Sequence, residues 1–227
     1  MEEWIRAGAF LLVRLGWGCQ RGGMTSGNFC RVLCALVLVA ALPCAAEEEK
    51  FEEIFNGEDL SGWKVPAGNI WWLVEDGILQ VRSCDDRKGS DLWTEKEYED
   101  FVVELEYRNV SGVIDSGVFV RSSDQIQIGI SGSLKRDLTA SPYIPGKGYP
   151  VEAEGVAELL KDDGWNQLRI EARGMDYVVW LNGSKVLEYR SETGKERGPI
   201  GLQLHAKNEM AIDFRNIRVA EIGKGER

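Results

Sequence analysis

An all-β, antiparallel two-sheet sandwich of jelly-roll type is the fold this sequence predicts, on three observations. Downstream of Ala46 the chain runs in short segments of alternating apolar and polar residues, the period of a half-buried strand. Two of the breaks between them are Asp76-Gly77 and Asn182-Gly183, dipeptides that tolerate the positive φ of a tight hairpin. Helical periodicity is nowhere long enough to build a packed helix.

Ahead of that domain, Val32 to Leu42 is an uninterrupted apolar run preceded by Arg31 and followed by Pro43-Cys44-Ala45-Ala46. Eleven apolar residues fall short of the roughly 20 that cross a bilayer, so the run reads as a signal peptide cleaved near Ala46. Met24 to Asn28 supplies an ordinary n-region, which leaves residues 1–23 as a start-site artefact and 24–46 as the signal. Cys44 follows Leu42-Pro43 and not a small residue, which disfavours a lipoprotein anchor. The expected product is periplasmic or secreted, without stable membrane insertion.

Removing the leader takes four of the five cysteines and leaves only Cys84, so the domain over 47–227 carries no intramolecular disulfide. Without Arg6, Arg14, Arg21, Arg31, Glu2 and Glu3 there remain 23 basic and 35 acidic residues, a net charge of −12. Such acidity argues against nucleic acid and other polyanions as partners, and fits neutral or cationic ligands or simple solubility.

Two hairpins come first: Trp72–Glu75 with Ile78–Val81, and Tyr177–Leu181 with Lys185–Leu187. Further strands are expected over 101–108, 116–121, 125–130, 165–172, 200–205 and 211–219, about ten in all, as in a sandwich. The exception is the insertion 131–164, which holds Pro142, Pro145, Pro150 and five glycines and has room for one helical turn near Val156 to Lys161. A long irregular segment in a compact β domain is commonly functional or disordered. Tyr143, Tyr149, Lys135, Asp137, Glu152 and Glu154 make this one chemically equipped.

The phrases FNGEDLSGW, VEDGIL, YEDF, DSGVFVR, WNQLRI, VWLNG, GPIGLQLH and FRNIRV occur here in order, from about Phe51 to Ala220. As a set they resemble the 3-keto-disaccharide hydrolase domain family. The resemblance implies a concanavalin-like or laminin-G-like jelly roll in an exported protein. It also implies cleavage of glycosides oxidised at C3, by hydrolysis or by elimination across C1 and C2 followed by hydration. A ketone at C3 acidifies the C2 proton, so a modest base can remove it and expel the C1 substituent. Such a site needs a base near the operating pH and a stabiliser for the enolate.

His205 is the single histidine, and alternation in Gly201–Ala206 places it with Gln203 on the face away from Leu202 and Leu204. The alternative for it is a surface histidine bonded to a neighbour. Arg121, Gln125 and Gln127 likewise read as polar groups on one sheet face, suited to sugar hydroxyls and a carbonyl oxygen, or else as a solvated face. The family pattern commonly has glutamate at Gln125 and aspartate near Gly129, so here a carboxylate must come from elsewhere. The insertion offers Glu152 and Asp137 as acid or base candidates, with Lys135, Tyr143 and Glu154 as binding groups. One histidine and one cysteine exclude a typical zinc site, while an oxygen-rich calcium or manganese site stays open.

Two rival functions remain. Glu104 and Glu106 share a strand face, as the carboxyl pair of a glucanase would, although a solvated outer face explains them better. The other rival is a lectin-like module without chemistry. It would use aromatic platforms, yet Trp63, Trp71, Trp72, Trp93, Trp165 and Trp180 read mainly as core.

Overall fold

The computed structural model describes residues 49–223, so the leader expected over 1–46 lies outside the described residues. Fourteen strands occur among them in chain order. The first seven are β1 Glu52–Glu53, β2 Trp63–Lys64, β3 Trp72–Glu75, β4 Ile78–Arg82, β5 Ser90–Tyr98, β6 Phe101–Gly112 and β7 Asp115–Val120. Then come β8 Asp124–Gly129, β9 Pro142–Tyr143, β10 Asn166–Arg173, β11 Asp176–Leu181, β12 Ser184–Arg190, β13 Gly198–Leu204 and β14 Met210–Glu221. One short helix, α1 Val156–Leu159, precedes β10. They form two antiparallel sheets, one ordered β12-β11-β10-β6-β14-β4-β3 with β1 added on β14, the other β2-β5-β13-β7-β8-β9.

Period-two alternation builds the core. Phe101, Val103, Leu105 and Tyr107 of β6 are buried, and so are Val118, Ile126, Ile128, Leu202 and Leu204 from the opposing sheet. Each such side chain contributes about 1.5–3 kcal/mol by leaving water. Both expected hairpins form. Glu75 pairs with Ile78 around Asp76 (φ 51°) and Gly77 (φ 75°), and Leu181 pairs with Ser184 around Asn182 (φ 50°) and Gly183 (φ 84°). The second turn is also a tie point: Asn182 Nδ2 donates to Leu159 O (2.7 Å) and Asn166 Oδ1 (2.9 Å), while its Oδ1 accepts from Gln167 N (2.9 Å).

Sequence reading missed β5 and the two-residue strands. In β5 the exposed run Glu95-Lys96-Glu97 breaks the alternation, although Leu92 and Thr94 do face the core. The tryptophans also divide differently from expectation. Trp63 and Trp72 are buried, whereas Trp93, Trp165 and Trp180 are half-buried, and the last two lie under arginines on the outer face of the eight-stranded sheet.

That outer face is an ion-pair lattice. Glu104 accepts from Arg169 (2.7 Å) and Arg218 (2.6 Å), Asp213 from Arg82 (2.6 Å) and Arg108 (2.7 Å), and Glu106 from Arg215 (2.5 Å). The guanidinium groups of Arg108 and Arg215 both lie over the Trp165 ring, at 4.7 and 4.0 Å from its centroid. Glu104 and Glu106, the glucanase-type pair, are thus committed to arginines.

Candidate active site

The outer face of the six-stranded sheet is organised differently. Side chains that alternate with its core residues stand in register across the strands. Gly129 opposes Asp115, Gln127 opposes Gly117 and Gln125 opposes Phe119, while Gly201 lies between Phe119 and Trp93 and Gln203 opposes Asp91. Segment 131–164 folds back beside this face, with β9 pairing on β8 and Tyr149 Oη donating to Gln127 Oε1 (2.8 Å). A cleft of about 510 Å³ results. Its floor is Asp115, Gln125, Gln127, Gln203 and His205, and Lys135, Tyr143, Tyr149 and Lys207 stand at its walls.

A hydrogen-bonded chain crosses the floor. Tyr149 donates to Gln127, whose Nε2 donates to Asp115 Oδ1 (2.9 Å). Asp115 Oδ2 has no hydrogen-bond partner among the described residues and lies 3.4 Å from His205 Nδ1. His205 Nδ1 is also 2.7 Å from Ala206 O. A carbonyl oxygen only accepts, so Nδ1 carries a hydrogen, and in the neutral ring Nε2 is the nitrogen with the lone pair. Asp115, 4% exposed in its side chain, stands where it stabilises the imidazolium that would form when Nε2 takes a proton. Gly132 permits this, since a methyl group there would sit 2.8 Å from Asp115 Oδ2.

Other polar atoms are left open to a ligand. Gln125 is 3% exposed and its Nε2 is buried without a partner. Burial raises the carboxyl pKa of Asp91 from its ordinary value, with nearby His205 drawing it partly back. Burial likewise raises the Tyr149 phenol, opposed by a hydrogen bond with Ser131. Lys135 and Lys207 are exposed, have left-handed backbones (φ 57° and 82°), and stand at the cleft.

The cleft therefore gathers His205, Gln125, Gln127, Gln203, Lys135 and Tyr143 as expected. Four expected residues are elsewhere. Arg121 is fully buried, donating to the carbonyls of Glu99 (2.5 Å), Gly174 (2.6 Å), Ala172 (3.0 Å) and Lys195 (3.2 Å), and so ties strand ends together. The chain turns into a left-handed conformation at Arg121 (φ 52°), which ends the alternation that would have kept it on the sheet face. Glu152 pairs with Arg136, and with Asp137 it lines a separate groove beside α1. Asp137 Oδ1 accepts from Thr139 N (2.8 Å), and Glu154 lies by β12, its N–H bonded to Val186 O (2.9 Å). Asp115, Asp91 and Lys207 were missed. Alternation read back from Phe119 through Gly117 reaches Asp115, so that signal was present.

The carboxylate thus comes from β7, directly across from Gly129. Residues 50–220 match the model of the 3-keto-alpha-glucoside-1,2-lyase-like domain. The chain belongs to this family. No curated protein matches the sequence. Among solved structures, two Parabacteroides distasonis proteins provisionally named glycosyl hydrolases share this family member's fold. One has a TM-score of 0.58 at 19% identity over 76% of this chain and 94% of its own. The other has a TM-score of 0.54 at 24% identity over 77% and 100%. A Bacillus subtilis protein of unknown function with a galectin-like fold gives 0.50 at 11% identity over 76% and 94%. These likenesses establish the sandwich fold.

Proposed function

We propose that this protein cleaves 3-keto-glycosides by elimination across C1 and C2, with His205 Nε2 as the base. One observation carries the reading: the single histidine faces a cleft of side-chain amides with its Nδ1–H fixed toward Ala206 O and Asp115. Nε2 removes the C2 proton, the electron pair forms the enolate and then the C1–C2 double bond, and the C1–O bond breaks with its electrons on the leaving oxygen. Asp91, which pairs with Gln203 across the strands and whose carboxyl pKa burial raises, is the group that returns a proton to that oxygen. Lys135 or Lys207 holds the negative C3 oxygen, and Gln125, Gln127 and Gln203 take sugar hydroxyls. Water added across the double bond makes the net result a hydrolysis.

Among the described residues no group of three or more His, Cys, Asp or Glu is placed to hold a metal. A divalent cation is the alternative stabiliser, and chelation tests it. The leader supports action in the periplasm or outside the cell, which Glu47 as the first residue of the exported protein would confirm.

The test is to incubate the purified protein with 3-keto-glucosides and their unoxidised parents, with and without a chelator, following aglycone release and C2 proton exchange. Cleavage of the keto sugars alone is expected. Saturable binding without turnover would replace the enzyme with a carbohydrate-binding module.

A further inference from the structure

Beyond the polar cleft, the same sheet face carries an aromatic pair that the core does not use. Trp93 and Phe119 both point outward and flank Gly201, and their rings stack above it with centroids 4.7 Å apart and planes 29° from parallel. A methyl group on Gly201 would lie 2.5 Å from Trp93 Cε3, so only glycine lets the indole cross this strand. Both side chains are half-buried, and neither belongs to the buried core.

Their position is fixed by the sheet. Along β7, Asp115, Gly117 and Phe119 mark three successive rows on one face, about 6.6 Å apart at two residues per step. His205 stands in the first row, Gln203, Gly117 and Gln127 in the second, and Trp93, Phe119 and Gln125 in the third. The third row lies about 13 Å from the base, a separation suited to a second ring on the same substrate. Gln125 pairs with Phe119 and folds its side chain over Gly117, so its buried, unpartnered Nε2 stands between the second and third rows as a donor for a ring hydroxyl. An aromatic surface next to an amide donor suits a neutral pyranose, whose C–H face stacks while its edge hydroxyls accept hydrogen bonds.

We propose that Trp93 and Phe119 form a second sugar subsite, holding a neutral pyranose leaving group while the keto ring lies beside His205 and Gln203. The assignment rests on the elimination reading for which ring is which, but not for the existence of the subsite.

The experiment is therefore run in two arms. Calorimetric titration compares a panel of unoxidised glucose disaccharides with methyl α-glucoside on wild type, Trp93→Ala, Trp93→Phe and Phe119→Leu. Turnover of the corresponding 3-keto compounds is measured on the same proteins, with circular dichroism as the folding check. Expected are tighter wild-type binding of at least one disaccharide than of the methyl glucoside, and a loss of about tenfold or more for that disaccharide in Trp93→Ala. The loss on the methyl glucoside should be far smaller, Trp93→Phe should recover most of the affinity, and Phe119→Leu should repeat the selective loss. Equal losses on both ligands, losses on neither, or a wild type that does not prefer any disaccharide would overturn the subsite. Selective binding losses without keto-sugar turnover would keep the subsite and refute the elimination reading; turnover without selective losses would do the reverse.

Discussion

On the outer face of the eight-stranded sheet, Glu104 and Asp213 are nearly buried and each meets two guanidinium groups. On the outer face of the six-stranded sheet, Asp115 Oδ2 and Gln125 Nε2 are as deeply buried and meet no hydrogen-bond partner among the described residues. The same strand alternation produced both faces, so geometry alone does not separate them. Pairing does: a buried polar group left open costs stability, and under the proposed function a substrate would complete the two on the six-stranded sheet.

That contrast can be broken from either side. The largest effect is expected from His205→Ala, which should lower kcat on a 3-keto-glycoside about 10²- to 10⁴-fold while the melting curve scarcely moves. Undiminished turnover would remove His205 from the chemistry. Glu104→Ala should do the opposite, removing the carboxylate partner of Arg218 and one of the two carboxylates that Arg169 meets, at a cost of about 1–3 kcal/mol in urea unfolding, with catalysis retained. Burial pushes the Glu104 carboxyl up, but hydrogen bonds from Arg169 and Arg218 outweigh it and the net shift is downward. The ion pairs thus contribute stability that is present above the unfolded-state pKa and is lost as pH falls through the folded one. The gap between wild type and Glu104→Ala should accordingly close below about pH 4.

Smaller effects sharpen the contrast. Gln125→Leu removes an unpaired amide, so stability should hold or rise by up to about 1 kcal/mol, whereas disaccharide affinity should fall. Loss of stability there would mean that the amide is already satisfied. The smallest effect on stability is expected from Asp91→Asn. Burial raises the Asp91 carboxyl, so its contribution is present below the unfolded pKa and lost as pH rises through the folded one. A slight gain in melting temperature at neutral pH that disappears near pH 3 is the expected signature, opposite in sign to that of Glu104.

Much of the sandwich was legible because its information is local. Asp76-Gly77 and Asn182-Gly183 announce their hairpins, and the alternation through Phe101–Tyr107 and Gln125–Ile128 announces strands and faces. His205, Gln125, Gln127 and Gln203 followed from the same alternation. Arg121 did not, because its left-handed turn at the strand end is invisible to a period-two count. Nor could sequence tell that Glu104 and Glu106 would be met by Arg169, Arg215 and Arg218, since those contacts join residues more than sixty positions apart. The insertion acids failed for a related reason: composition shows which groups a loop carries, and only tertiary packing shows which side of the sheet they reach.

The turn at Asn182-Gly183 carries a consequence for how the protein ages. Asparagine followed by glycine is the pair most open to deamidation, in which the glycine nitrogen attacks the side-chain amide and ammonia leaves. Here that amide is pinned at both ends, with Nδ2 on Leu159 and Asn166 and Oδ1 on Gln167, so the folded chain holds it back from cyclising. Once the turn opened and the reaction occurred, the donor would be replaced by a carboxylate facing two acceptor oxygens. Deamidation of this hairpin would therefore read out local opening of the turn from the end of α1 and the start of β10.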